Sequence, residues 1–158
     1  MFEIISKEKN LNKLVPIFIL LILTFTACNN GQTPNNLNWK TNLEEAVAQA
    51  QKENKAVLVN FTGSDWCKWC MKLNDEVFTQ SEFESYAEKN LILVRLDFPR
   101  NIPQSNETKL YNNTLAQRYG IQGFPTILVF DNQGQLVAKT GYQPGGADNY
   151  VNHIQSFL

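Results

Sequence analysis

The residues best placed to do chemistry are two thiols separated by two residues, Cys67-Lys68-Trp69-Cys70. Only a thiolate attacks a disulfide, so such a pair works when one thiol ionises easily. A helix N-terminus favours that, because its unpaired amides and macrodipole stabilise negative charge. The pattern puts Cys67 at the first turn of a helix and Cys70 one turn deeper and more buried. Cys67 is therefore expected to attack and Cys70 to resolve the mixed disulfide. Competing chemistries fit less well. Structural zinc wants four ligands, and only His153 on the last predicted helix is left to join the pair; it reads as a surface residue, and no metal is expected. Covalent haem attachment wants a histidine after the second cysteine, where Met71 stands. A purely structural disulfide stays open as an alternative, although closing so short a loop gains little stability.

A third cysteine, Cys28, belongs to a different segment. Lys7, Lys9 and Lys13 precede an apolar run from Leu14 to Leu23, shorter than the ~20 residues a spanning helix needs. A basic start, a short apolar core and small residues before a break make a secretory signal. Phe25-Thr26-Ala27-Cys28 resembles the lipobox of bacterial lipoproteins, with Phe where Leu is more usual. The resemblance implies a signal peptide over 1–27 and lipidation of Cys28. Residues 28–38, rich in Asn, Gln, Gly and Pro, would then be a flexible tether, with the folded domain over 39–158. Acyl chains partition into hydrocarbon by roughly 0.8 kcal/mol per methylene, so a multiply acylated Cys28 would stay on the membrane. An ordinary signal peptide with an unrelated cysteine is the competing reading. With Cys28 so used, Cys67 and Cys70 are the only thiols of a domain outside the cytosol, where a reversible disulfide is permitted. The chain is 43% hydrophobic and carries a net charge of −1, which fits a folded domain and offers no basic patch for nucleic acid.

The elements that must position the thiols follow from periodicity. Thr41 and Glu44 fit a capping box, with Leu43, Ala46, Val47 and Ala50 at helical spacing up to Asn54. Ala56–Phe61 is a nearly continuous apolar run, the pattern of a strand buried on both faces. Residues 62–65 form a loop, and in the helix that follows Cys70, Leu73, Asn74 and Val77 share a face. Ser81 caps a further helix, and Leu91–Asp97 is the next strand. A loop with two prolines leads to a helix bearing Tyr111, Leu115, Arg118 and Tyr119, which stops at Gly120. Strands 126–130 and 135–140 form a hairpin through Asp131-Asn132-Gln133-Gly134. A last helix presents Tyr150, Val151, Ile154 and Phe157. Helices alternating with buried strands imply an α/β sandwich around a mixed sheet.

Three strings carry a family resemblance. Val57-Leu58-Val59-Asn60-Phe61, Trp66-Cys67-Lys68-Trp69-Cys70 and Gly123-Phe124-Pro125-Thr126 resemble the thioredoxin superfamily. The stretch from Phe61 to Cys70 is similar to exported members with a Trp-Cys-X-Trp-Cys centre and to the C-terminal domain of DsbD. The resemblance implies a three-layer α/β/α sandwich with a central mixed β-sheet. It makes Cys67 the nucleophile, Cys70 the resolving thiol and Pro125 a cis-proline opposite the disulfide. The Phe124 backbone and exposed Trp69 would bind an extended substrate, Trp66 would shield the centre, and Lys68 would add positive charge.

The departures from that family are informative. Asn60 stands where thioredoxins place a buried Asp, and Asn74 where DsbD-like domains place a Glu, so both usual proton acceptors are missing. Asp65, Asp75 and Glu76 are expected to be solvated charges. The implied function is a lipid-anchored thiol–disulfide oxidoreductase of the bacterial cell envelope, facing the periplasm. It would reduce or rearrange disulfides of exported proteins with electrons from a membrane thiol carrier, as a monomer without metal or organic cofactor. A disulfide-donating oxidase and a non-catalytic binding or chaperone module are the rivals. Two sequons, Asn106-Glu107-Thr108 and Asn112-Asn113-Thr114, read as chance matches.

Overall fold

The computed structural model describes residues 37–158; the expected signal peptide, Cys28 and most of the tether lie outside the described residues. The elements run β1 (Trp39–Lys40), α1 (Leu43–Glu53), β2 (Ala56–Thr62), α2 (Lys68–Leu73), a π-helical turn (Asn74–Phe78), α3 (Ser81–Asn90), β3 (Leu91–Asp97), α4 (Asn106–Arg118), β4 (Thr126–Phe130), β5 (Leu136–Thr140) and α5 (Gly146–Gln155). The strands form one mixed sheet in the order β1-β3-β2-β4-β5. β1, β3 and β2 are parallel, whereas β4 pairs antiparallel with β2 and β5 with β4.

Alternation along the strands divides the core in two. Ala56 and Leu58 of β2, Leu91 and Leu93 of β3, and Ile127 and Val129 of β4 face α2, α3 and α5, packing on Leu73, Phe83, Tyr150 and Ile154. Their neighbours Val57, Val59, Phe61, Ile92, Val94, Leu96, Leu128 and Phe130 face α1 and α4, packing on Leu43, Ala46, Ala50 and Leu115. Every residue of β2 and of β4 is buried, which is why both read as mainly apolar runs rather than alternating ones. The result is the three-layer α/β/α sandwich expected from the sequence.

Local caps differ from expectation by one residue. Asn42, not Thr41, caps α1: its Oδ1 accepts the Glu45 amide at 2.8 Å. An Asn side chain there satisfies an orphan amide at the helix start as well as Thr would. Gln80, not Ser81, precedes α3 and makes no side-chain cap; Ser81 is already its first residue. Asn54 closes α1 in the left-handed region, at φ 54°, with its amide on Ala50 O. Asn112 is buried and donates to Asp97 O at 2.8 Å, so its sequon is a packing feature.

Candidate active site

The thiols sit where β2 hands the chain to α2. Gly63 makes that turn possible: a Cβ there would lie 2.5–2.8 Å from the Trp66 indole, so no other residue fits without displacing it. Gly63 O then accepts the Cys67 amide at 2.9 Å. Cys67 is the extended N-cap of α2 (φ −84°, ψ 103°) and its Sγ accepts the Cys70 amide at 3.2 Å. That is the helix-start amide which favours negative charge on a capping atom. Cys67 and Cys70 are joined by a disulfide across a Cα–Cα distance of 5.2 Å. The two are equally buried, at 6% and 5% exposure, so the expected contrast in burial is absent. The cap position tucks the Cys67 sulfur over its own helix start instead of leaving it outside.

The loop is tied to the end of β3 and to the segment after it. Ser64 donates its amide and hydroxyl to the Asp97 carboxylate at 2.9 and 2.6 Å. Asp65 accepts the amides of Arg100 and Asn101 at 2.9 and 2.6 Å, and the Arg100 amide above all holds its carboxyl below the usual carboxylate range. Asp65 is therefore a loop clasp and not the solvated charge expected of it. Trp66 donates to Phe98 O at 2.8 Å, carries the Arg100 guanidinium 4.0 Å above its ring, and meets Phe124 edge-on at 5.8 Å. That contact brings the Phe124–Pro125 segment, whose peptide bond is cis, beside the loop that bears Cys67.

On the outer side Trp69 is 53% exposed, and Lys68 is exposed as well. Trp69 is nevertheless not loose. Its ring lies 5.3 Å from that of Tyr142, and Lys72 Nζ sits within 5.4 Å of the Trp69 ring and 5.2 Å of the Tyr142 ring. Glu76 accepts the Tyr142 hydroxyl at 2.6 Å and pairs with Lys72 at 3.6 Å. Glu76 is thus a brace for the aromatic pair, correcting its reading as a solvated charge. Tyr142 follows β5 in sequence, and no local pattern points to it.

On the inner side a cavity of about 360 Å³ opens beside Cys70, with Asn60, Thr62, Asn74, Asp75 and Arg95 among its walls. Asn60 is 5% exposed and its Oδ1 has no hydrogen-bond partner. Arg95 is half-buried, and burial lowers its pKa. The only sequence signal for it is a charge inside the apolar run Leu91–Leu96. His153 is half-buried rather than on the surface, with Nε2 2.9 Å from Thr140 Oγ1. Among the described residues, three or more His, Cys, Asp or Glu side chains nowhere gather as a metal site would require.

Known proteins of similar sequence and structure point the same way. A family model for the thioredoxin-like domain matches residues 43–153. Disulfide bond reductase DsbH of Chlamydia pneumoniae is 37% identical over 123 residues, covering 78% of this chain and 74% of that one. A solved DsbH oxidoreductase superposes with a TM-score of 0.73 at 32% identity, over 96% of this chain and 94% of that one. The reduced C-terminal domain of DsbD from Neisseria meningitidis shares the fold, with a TM-score of 0.55 at 22% identity over 73% of this chain and 94% of that one.

Proposed function

This chain belongs to the thioredoxin-like family, and from that premise we propose that it is an extracytoplasmic thiol–disulfide oxidoreductase working in the reducing or rearranging direction. Thiol–disulfide redox chemistry itself follows from the family and from the bonded Cys67–Cys70 pair. The single observation that carries the rest is the placement of Cys67. Its sulfur caps a helix, two residues before the exposed Trp69 and next in sequence to Trp66, whose ring meets Phe124 edge-on.

In the reduced protein the Cys67 thiolate attacks one sulfur of a substrate disulfide. A mixed disulfide forms and the substrate's other sulfur leaves as a thiolate. Cys70 then attacks Cys67, the Cys67–Cys70 bond closes, and the second substrate sulfur leaves reduced. Phe124 supplies backbone for an extended substrate, and Trp69 supplies apolar contact beside the thiols. Lys68 adds positive charge near them, Trp66 shields the centre, and a membrane thiol carrier of the DsbD type returns the two electrons. The basic start, apolar core and Cys28 of the N-terminal segment support an envelope location, with the domain tethered by lipid and acting as a monomer on exported proteins.

The test is Cys70→Ser in the full chain, which leaves mixed disulfides on Cys67 unresolved. Exported cysteine-containing proteins should be recovered bonded to Cys67, while alkylation trapping should find the wild-type pair mostly reduced in cells. A mostly oxidised pool would overturn the reductive direction. No trapped partner, together with no disulfide reduction in vitro, would leave a binding module instead.

A further inference from the structure

We propose that Arg95 activates Cys70: its positive charge, acting across the cavity beside the disulfide, holds the resolving thiol as a thiolate in place of the missing proton acceptor. The inference rests on the thiol–disulfide reading above and deepens its second step. Three observations meet in that cavity. Strand alternation puts Asn60 and Arg95 on the face of the sheet that packs against α2, and the parallel register pairs them across β2 and β3. Asn60, where a buried carboxylate would stand, cannot take a proton, and its Oδ1 is buried without a partner. Arg95 is half-buried and, among the described residues, has no carboxylate within ion-pair distance.

The charged groups around the cavity compensate that cation only in part. From β3, Asp97 accepts the amide and hydroxyl of Ser64 and acts on Arg95 only through space, its charge opposing the lowering of the Arg95 pKa by burial. From the π-helical turn, Asp75 is exposed, with its carboxylate 3.2 Å from the Asn74 amide. On α2, Lys72 is turned to Glu76, Trp69 and Tyr142. From β1, Trp39 places its ring 4.6 Å from the Arg95 guanidinium carbon, fixing the side chain without neutralising it. A half-buried cation that no carboxylate pairs directly, flanked by an acceptor with no donor, suits a neighbour that is a thiol in one state and an anion in the next. Cys70 is that neighbour. While Cys67 is held in a mixed disulfide, Cys70 loses its proton to water in the cavity and thence to solvent. Its sulfur then attacks Cys67, the substrate sulfur leaves, and that thiolate takes up a proton from solvent. An opposite charge nearby favours an ionised thiol.

The experiment reads Cys70 directly. In the full chain carrying Cys67→Ser, the pH dependence of Cys70 alkylation is followed by mass spectrometry of its peptide, which keeps it apart from Cys28. Adding Arg95→Gln should move the midpoint of that profile up by about one pH unit. The rate at pH 7 should fall only about threefold, because a more basic thiolate is also a better nucleophile. Arg95→Lys keeps the charge and should restore the midpoint. Asn60→Asp places a carboxylate in register with Arg95 and should also move the midpoint up. This second variant tests the proposal even if Arg95→Gln fails to fold. An unmoved midpoint in Arg95→Gln, an Arg95→Lys midpoint as high as that of Arg95→Gln, or a downward shift in Asn60→Asp each overturns the proposal. An Arg95-dependent midpoint in a chain that reduces no disulfide counts against the functional reading alone. An Arg95-independent midpoint in an active chain counts against this inference alone.

Discussion

Near the C-terminal ends of β2 and β3 the two faces of the sheet part company. Toward α1 and α4 the strands present Phe61 and Leu96, both fully buried among other apolar side chains. Toward α2 the adjacent residues are Asn60, Thr62 and Arg95, lining a cavity against Cys70. The same two strands thus carry both rows, separated by nothing more than the two-residue period of an extended chain. One face is organised for packing, where each buried apolar side chain contributes roughly 1.5–3 kcal/mol. The other tolerates an unpartnered amide oxygen, which costs about 1–3 kcal/mol, in the cavity that Cys70 of the disulfide also lines. Stability and chemistry are assigned to opposite sides of one sheet.

The largest test of that contrast is Phe61→Ala. It should cost about 3–5 kcal/mol through lost burial and the cavity left behind, read by chemical denaturation. A loss near 1 kcal/mol would mean that this face is not the tightly packed one. On the other face Asn60→Leu should do the reverse and stabilise the oxidised protein by about 1 kcal/mol, because it removes a desolvated acceptor with no partner. Destabilisation there would show that the cavity satisfies Asn60. The smallest effect concerns the rim of the packed face. Tyr111 accepts the Leu43 amide at 2.7 Å and donates to Glu44. Partial burial first, and the Glu44 hydrogen bond second, push its pKa from 10.0 up to about 12. A folded pKa above the unfolded one gives stability that is complete below about pH 10 and is lost as pH rises toward 12. Tyr111→Phe should therefore cost about 1 kcal/mol at neutral pH and lose less than wild type between pH 10 and 12, as thermal melts across that range would show.

Much of this was legible along the chain because it is local or periodic. The runs 56–61 and 91–97 identify strands, the first as buried on both faces, and the two-residue spacing with a helix start identifies Cys67 and Cys70. The residues that brace Trp69 were not legible. Tyr142 and Trp69 are far apart in sequence and meet only because β5 returns the chain alongside the π-helical turn that carries Glu76. Asp65 and Glu76 misled for the same reason. A carboxylate beside an active-site motif reads as solvated until its partners, Arg100, Asn101 and Tyr142, arrive from other segments. The cap at Asn42 shifted for a smaller reason, since Thr and Asn cap almost equally well.

The sequence by itself determined the dithiol and an α/β sandwich on a mixed sheet, since these rest on side-chain type and on the periods of helix and strand; the resemblance to the thioredoxin superfamily implied the three layers. The same resemblance implied that the usual proton acceptors are absent, because Asn60 and Asn74 stand at their positions and cannot titrate. Only the tertiary structure decided what surrounds Cys70. Whether a charge in a strand faces solvent or a thiol depends on which neighbours the register brings to it. Here parallel pairing set Arg95 beside Asn60, on the face that packs against the helix of Cys70.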